Sequence, residues 1–70
     1  MKESVANIVN ELRQKEKLTQ EAFAERIGVS RQTVIAIEKG NYVPSVLLAL
    51  RIAAVFKRPV EEIFTISYEK

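Results

Sequence analysis

Only two glycines occur in the chain, and they bracket one stretch, GVSRQTVIAIEKG, from Gly28 to Gly40. A glycine just past a helix end lets the backbone enter the left-handed conformation without steric penalty. The interval between the two therefore holds one short helix, expected over residues 31–39. Ser30 is placed to cap it by accepting from the backbone N–H of Gln32 or Thr33. Val34 and Ile37, three apart, form its inner face. Its opening turn carries Arg31, Gln32 and Thr33, which do nothing for a core. They are either a solvated helix end or a contact surface.

The same punctuation recurs on both sides. Thr19 is a good N-cap, Gln20, Glu21 and Glu25 suit the helix that follows, and Ala22, Phe23 and Ile27 give it an inward face. Gly28 ends it, which predicts a helix over residues 20–27. Upstream, Ser4 caps a run in which Val5, Ile8, Val9 and Leu12 recur at helical spacing, so a first helix is expected over residues 4–16. Downstream, Pro44 disfavours helix at Val43, and Ser45 caps a helix over Val46–Phe56. That segment is apolar nearly all round, interrupted only by Arg51. A helix of this kind is buried on most sides, which a small domain achieves with difficulty on its own. Pro59 opens a short fifth helix, Val60–Phe64, with Glu61 and Glu62 at its positive end. In the tail, Phe64, Ile66 and Tyr68 alternate with Thr65, Ser67 and Glu69, a strand pattern for which the sequence offers no convincing partner strand. The expected fold is all-α: one domain of five helices over residues 1–70 with a short C-terminal strand-like tail.

A 70-residue chain is one domain and buries only about 60% of its unfolded surface. It has no cysteine and no histidine, so neither a disulfide nor a Cys/His zinc site supports it. The same absence removes the commonest nucleophile and acid–base constellations, and there is no glycine-rich phosphate loop. Adjacent Glu61 and Glu62 diverge on a helix. The chain reads as no enzyme, without metal, cofactor or evident small-molecule ligand. Met1–Asn10 is too polar for a secretory leader, and the longest apolar run, Val46–Leu50, is far short of the roughly 20 residues of a membrane span. A cytoplasmic protein is expected. The net charge of +2 conceals a gradient: residues 26–58 hold six basic residues and one acid, Glu38. Basic charge gathered in one segment is either a solvated face or the footprint of a polyanion.

Two short helices joined by Gly28-Val29-Ser30 fit a helix–turn–helix, although a helical hairpin without a ligand has the same spacing. The longer stretch LTQEAFAERIGVSRQTVIAIEKGNYVPSVLLALRIAAVF resembles the Cro/C1 repressor-type (Xre-family) helix–turn–helix domain of bacterial and phage regulators. The resemblance is carried by Leu18-Thr19-Gln20, Ala24, Gly28-Val29-Ser30, Val34, Ile37-Glu38, Gly40, Pro44-Ser45, Leu50 and Ile52-Ala53. It extends through Val60-Glu61-Glu62-Ile63-Phe64, about residues 5–64 in all. It implies a lambda-repressor-like DNA-binding domain whose second motif helix enters the major groove of double-stranded DNA.

The residue roles below follow from that resemblance. Ser30, Arg31, Gln32 and Thr33 open the recognition helix and reach base edges or nearby phosphates, and Ala36 offers a methyl to the groove. Thr19 and Gln20, at the start of the preceding helix, meet a phosphate, as do Lys39, Asn41 and Tyr42 after the recognition helix. Glu38 pairs with Arg13 as a structural ion pair between the first and third helices. Ile35 departs from the usual polar occupant of its position: it is either a contact to a thymine methyl or a merely exposed apolar residue, and the second is expected.

The apolar surplus of the C-terminal part, residues 46–70, needs a cover. Symmetric dimers are the default oligomer and suit palindromic operators, so a homodimer is expected through Leu47, Phe56, Ile63, Phe64, Ile66 and Tyr68. The expected function is a nucleoid-associated transcriptional regulator, a repressor acting by occupancy. The alternative is an antitoxin or adaptor of the same fold whose main partner is another protein.

Overall fold

A computed structural model describes residues 2–69. The elements run β1 (Lys2–Asn7), α1 (Val9–Lys15), α2 (Gln20–Ile27), α3 (Arg31–Glu38), α4 (Val46–Phe56), α5 (Val60–Ile63) and β2 (Phe64–Glu69). The described residues thus form five helices and one two-stranded antiparallel sheet, so the all-α expectation is corrected to a mostly helical fold with a terminal β-ribbon.

The correction lies at the N-terminus. Residues 2–7 pair with the tail instead of opening the first helix, and the register sets Val5 opposite Ile66 and Asn7 opposite Phe64. Ser4 sits in the strand opposite Ser67 and caps nothing. The spacing of Val5, Ile8, Val9 and Leu12 misled because Val5 and Asn7 also alternate correctly for a strand, and a partner strand was waiting in the tail. The change of period falls at Asn7. Its side-chain oxygen accepts from the Val9 N–H at 3.0 Å and so starts α1. The Ile8 N–H donates to the Ile63 carbonyl at 3.1 Å, fixing the strand–helix junction against the end of α5. The tail therefore folds back on its own chain.

The other helices follow their caps. Thr19 accepts from Ala22 N–H at 3.0 Å, Ser30 from Thr33 N–H at 3.3 Å and Ser45 from Leu48 N–H at 3.2 Å. Gly28 and Gly40 both lie at positive φ, 75° and 79°, as helix-ending glycines should. Lys39 serves as the C-cap of α3, which ends one residue earlier than expected, and α5 ends at Ile63 because Phe64 is already extended. The centre of the core is Phe23, Ile27, Val34, Ile37, Ile52, Ile63 and Val9, all fully buried. Phe23 stacks on Phe56 with ring centroids 5.1 Å apart, joining α2 to α4.

This packing corrects part of the expected dimer surface. Phe56 and Ile63 belong to the core, and Phe64 is half-buried against it. Their apolar area is already used within the chain. Leu47, Ile66 and Tyr68 remain exposed.

Candidate nucleic-acid interface

Helices α2 and α3 and the turn between them form the centre of the candidate surface. The left-handed Gly28 reverses the chain, and the Val29 N–H donates to the Ala24 carbonyl at 3.0 Å to close α2. Val29 packs against the core and holds the turn down. From α4, Arg51 Nη1 donates to the Ile27 carbonyl at 3.4 Å, an additional cap on the last turn of α2. A Cβ on residue 28 would stand 3.3 Å from that same Arg51 nitrogen, the free end of a flexible side chain, so it is the positive φ that makes the position favour glycine.

The inward face of α3 is Val34 and Ile37, both fully buried. Arg31 and Gln32 are exposed, and neither side chain makes a hydrogen bond or ion pair among the described residues. Thr33 is half-buried, with its hydroxyl 3.1 Å from that of Ser30. Ile35 and Ala36 are half-buried too, so Ile35 is not the fully exposed residue expected. After α3, Lys39, Asn41 and Tyr42 are exposed on the loop, whose backbone is folded over the helix end by an Asn41 N–H to Ala36 carbonyl bond of 2.9 Å. Thr19 is exposed at the start of α2.

Beneath this surface Glu38 ties three helices together. Its carboxylate accepts from Arg13 Nε at 2.6 Å and Nη2 at 3.3 Å, from Asn10 Nδ2 at 2.9 Å and from Gln20 Nε2 at 3.2 Å. The Glu38 and Arg13 side chains are only 5% and 12% exposed. Arg13 Nη1 also donates to the Leu18 carbonyl at 2.7 Å. Burial raises the Glu38 pKa, but the hydrogen bonds from Arg13, Asn10 and Gln20, with the Arg13 charge, outweigh it and hold the carboxyl below its ordinary value. Gln20, expected on a phosphate, thus spends one amide hydrogen on Glu38; the second remains for a ligand.

The electrostatic consequence follows directly. The only acid of residues 26–58 points inward with its charge matched, while Arg26, Arg31, Lys39, Arg51, Lys57 and Arg58 are exposed. Arg58 shares its charge with Glu62 at 3.6 Å. The middle of the chain therefore presents cations outward.

Sequence reasoning missed two residues that orient α3. Asn10 is the second neutral donor to Glu38, and Asn7 Nδ2 donates to the Ile37 carbonyl at 2.9 Å at the end of α3. The available signal was an asparagine three residues before Arg13, on the helix face that carries the arginine. Among the described residues there is no grouping of three or more potential metal ligands.

The helix-turn-helix family model HTH_3 matches residues 9–63. The chain belongs to the Cro/C1-type helix-turn-helix family. This is a family of transcriptional regulators, not of enzymes. The chain is 51% identical over 63 residues to an uncharacterized HTH-type transcriptional regulator of Bacillus subtilis, YgzD, covering 90% of this chain and 96% of the relative. A regulator of the same description from Methanothermobacter thermautotrophicus is 53% identical over 58 residues, 81% of this chain and 84% of its own length. Another from Methanocaldococcus jannaschii is 60% identical over 47 residues, 67% and 71% of the two chains. The last two sources are archaea, so the family extends beyond the bacteria and phage expected from the sequence.

Proposed function

We propose that this helix-turn-helix protein is a sequence-specific double-stranded DNA-binding transcriptional regulator. On this reading it is a repressor in the cytoplasm, at the nucleoid, and binds a palindromic operator as a homodimer with α3 in the major groove. The carrying observation is the division of labour on α3. Val34, Ile37 and Glu38 are committed to the fold, while Arg31 and Gln32 stand exposed on its first turn, on a segment whose outward charges are all basic.

The roles follow from chemistry. Arg31 suits the two acceptors of guanine, and Gln32 the donor–acceptor edge of adenine. Ser30 and Thr33, whose hydroxyls bond each other, keep one proton between them for a base edge or phosphate, and Ala36 offers a methyl to a thymine methyl. Lys39, Asn41, Tyr42, Thr19 and the second amide hydrogen of Gln20 fix register on phosphates. The Arg13–Glu38 pair sets the angle of α3 without touching DNA. Two such helices about one helical turn apart, roughly 34 Å, would meet successive major grooves.

The test is selection of bound duplexes from a random pool. A palindromic consensus is expected, with guanine and adenine at the positions nearest Arg31 and Gln32. Retention of no sequence above background refutes the reading. The second reading is an antitoxin or adaptor whose main partner is another protein, and the exposed aliphatic side chains of α4 favour it. Purification with a stoichiometric protein partner and no DNA retention at moderate salt would establish it.

A further inference from the structure

Both strands of the terminal ribbon, Lys2–Asn7 and Phe64–Glu69, lie outside the segment that the family model matches, residues 9–63. The ribbon adds little to the core. Among its described side chains none is buried, and only Val5, Asn7, Phe64 and Ser67 are half-buried. A lone two-stranded pair is marginal in water. What the ribbon does deliver is one side chain. Both ends of the Asn7 amide are engaged: Oδ1 accepts from the Val9 N–H at 3.0 Å, and Nδ2 donates to the Ile37 carbonyl at 2.9 Å. A planar amide held at both ends fixes the spacing between the start of α1 and the last turn of α3.

The Ile37 carbonyl also accepts from the Gly40 N–H at 3.0 Å, so both of its lone pairs are taken. The next residue, Glu38, is gripped from α1 by Arg13 and Asn10. One tie holds a side chain on the flank of α3, and the other holds a carbonyl, which points along the helix axis. Together they resist roll and tilt. Helix α3 has eight residues and is therefore about 12 Å long. A tilt of about 5° displaces one end against the other by about 1 Å over that length. Arg31 and Gln32 at one end then no longer fit a groove together with Ala36 and Lys39 at the other. Base-edge hydrogen bonds work only over about 2.7–3.2 Å and are lost by such a shift. The pull of arginine and lysine on phosphates is sequence-independent and survives it.

We propose that Asn7 is a positioning residue for sequence reading, through which the terminal ribbon seats α3 in the groove. The inference rests on the DNA reading above. It makes the ribbon a determinant of specificity: the closed ribbon raises operator binding and leaves the non-specific grip on DNA unchanged.

The experiment titrates the full chain by fluorescence anisotropy on the selected operator and on a scrambled duplex, over a series of salt concentrations. The natural protein is compared with Asn7→Asp, Asn7→Ala and Val5→Pro. Asn7→Asp keeps an oxygen for the Val9 N–H and loses the donor to Ile37, whereas Asn7→Ala loses both. Val5→Pro disrupts the ribbon opposite Ile66 and leaves Asn7 in the chain. In each variant the operator-to-scrambled affinity ratio should fall about tenfold, the loss of roughly one base contact, with the salt slope unchanged. The added charge of Asn7→Asp acts on both duplexes alike and cancels in the ratio. The double variant Val5→Pro, Asn7→Ala should lose no more than either single one, because both act through the same contact. Asn7→Asp, the mildest change, decides the matter alone where circular dichroism shows the others unfolded. An unchanged ratio, with equal losses on both duplexes, makes Asn7 purely structural and overturns the proposal. A ratio lowered by Asn7→Ala and not by Asn7→Asp assigns the effect to the start of α1 and overturns it as well. A natural protein that prefers no sequence removes the DNA reading itself, a failure seen before any variant is compared.

Discussion

Glu38→Ala isolates the tie between the α3 helix and the rest of the fold, and its cost can be worked from the contacts. The substitution deletes four hydrogen bonds to a carboxylate that is 5% exposed. It leaves Arg13, itself 12% exposed, with only the Leu18 carbonyl at 2.7 Å. Removing one partner of a fully buried pair costs about 3–5 kcal/mol, most of it the stranded charge. Arg13 keeps one acceptor and some water, which places the cost near the low end, about 3 kcal/mol. A domain of this size has a total stability of about 4–10 kcal/mol, so the variant loses a third of it or more. At about 4–8 °C per kcal/mol, Tm falls by about 12–24 °C. Thermal unfolding followed by circular dichroism at pH 7 measures this. A fall of less than about 4 °C, equivalent to under 1 kcal/mol, would refute the assignment of Glu38 as the tie.

The same carboxylate sets an acid limit. Its folded pKa lies below the ordinary value of 4.5, so between the two the unfolded chain binds more protons and stability rises with pH. The Glu38 contribution is therefore complete above the unfolded value and lost as pH falls through the folded one. Glu38→Gln should flatten the acid limb of the stability–pH curve below about pH 4.5. An unchanged limb would assign the titration to other carboxylates.

Three further outcomes follow. Arg31→Ala should cost about 1–3 kcal/mol at one base pair of the selected operator and relax the preference there; equal weakening on every sequence, in a competition binding assay, would make Arg31 a phosphate contact. Lys39→Ala should weaken binding uniformly and lower the salt slope by about 1, and a sequence-dependent loss would contradict its phosphate role. Lys57, the C-cap of α4, sits at φ 54° with no glycine to relieve it; Lys57→Gly removes a left-handed penalty of about 1–2 kcal/mol and adds unfolded-state entropy, for a net gain of about 0.5–1 kcal/mol by denaturant titration.

The legible parts of the fold were those with local determinants. Thr19, Ser30 and Ser45 each precede a helix with a side-chain oxygen that its own backbone needs, and Gly28 and Gly40 each occupy a positive φ. Such signals act over three or four residues and can be read in a line of sequence. The N-terminal strand could not be read so. Lys2–Asn7 is extended because Phe64–Glu69 lies beside it, 57 to 67 residues away along the chain, and the strand pattern of KESVAN is faint. Asn10 carries one local signal, its place three residues before Arg13, but its partner Glu38 is 28 residues distant. Leu47 is expected on the outer surface, but the exposure of Val46 and Leu50 is not legible, because apolar residues all round α4 do not say which side meets the core.

The terminal ribbon also explains how so small a domain holds α3 at both ends. The N-terminal end is fixed locally, by Ser30 and by Val29 packing on the core. The C-terminal end is closed locally by the Gly40 N–H on the Ile37 carbonyl and the Asn41 N–H on the Ala36 carbonyl. It is braced from a distance as well: Glu38 by Asn10 and Arg13 of α1, and the Ile37 carbonyl by Asn7 of the ribbon. Asn7 reaches that carbonyl only because its backbone is clamped between β2 and the Ile63 carbonyl next door. The pairing of residues 2–7 with residues 64–69 therefore adds a second brace, beside the Glu38 tie, on a helix in the middle of the sequence. The first turn of α3, which takes no part in this bracing, is left to present Arg31 and Gln32 from a rigid base.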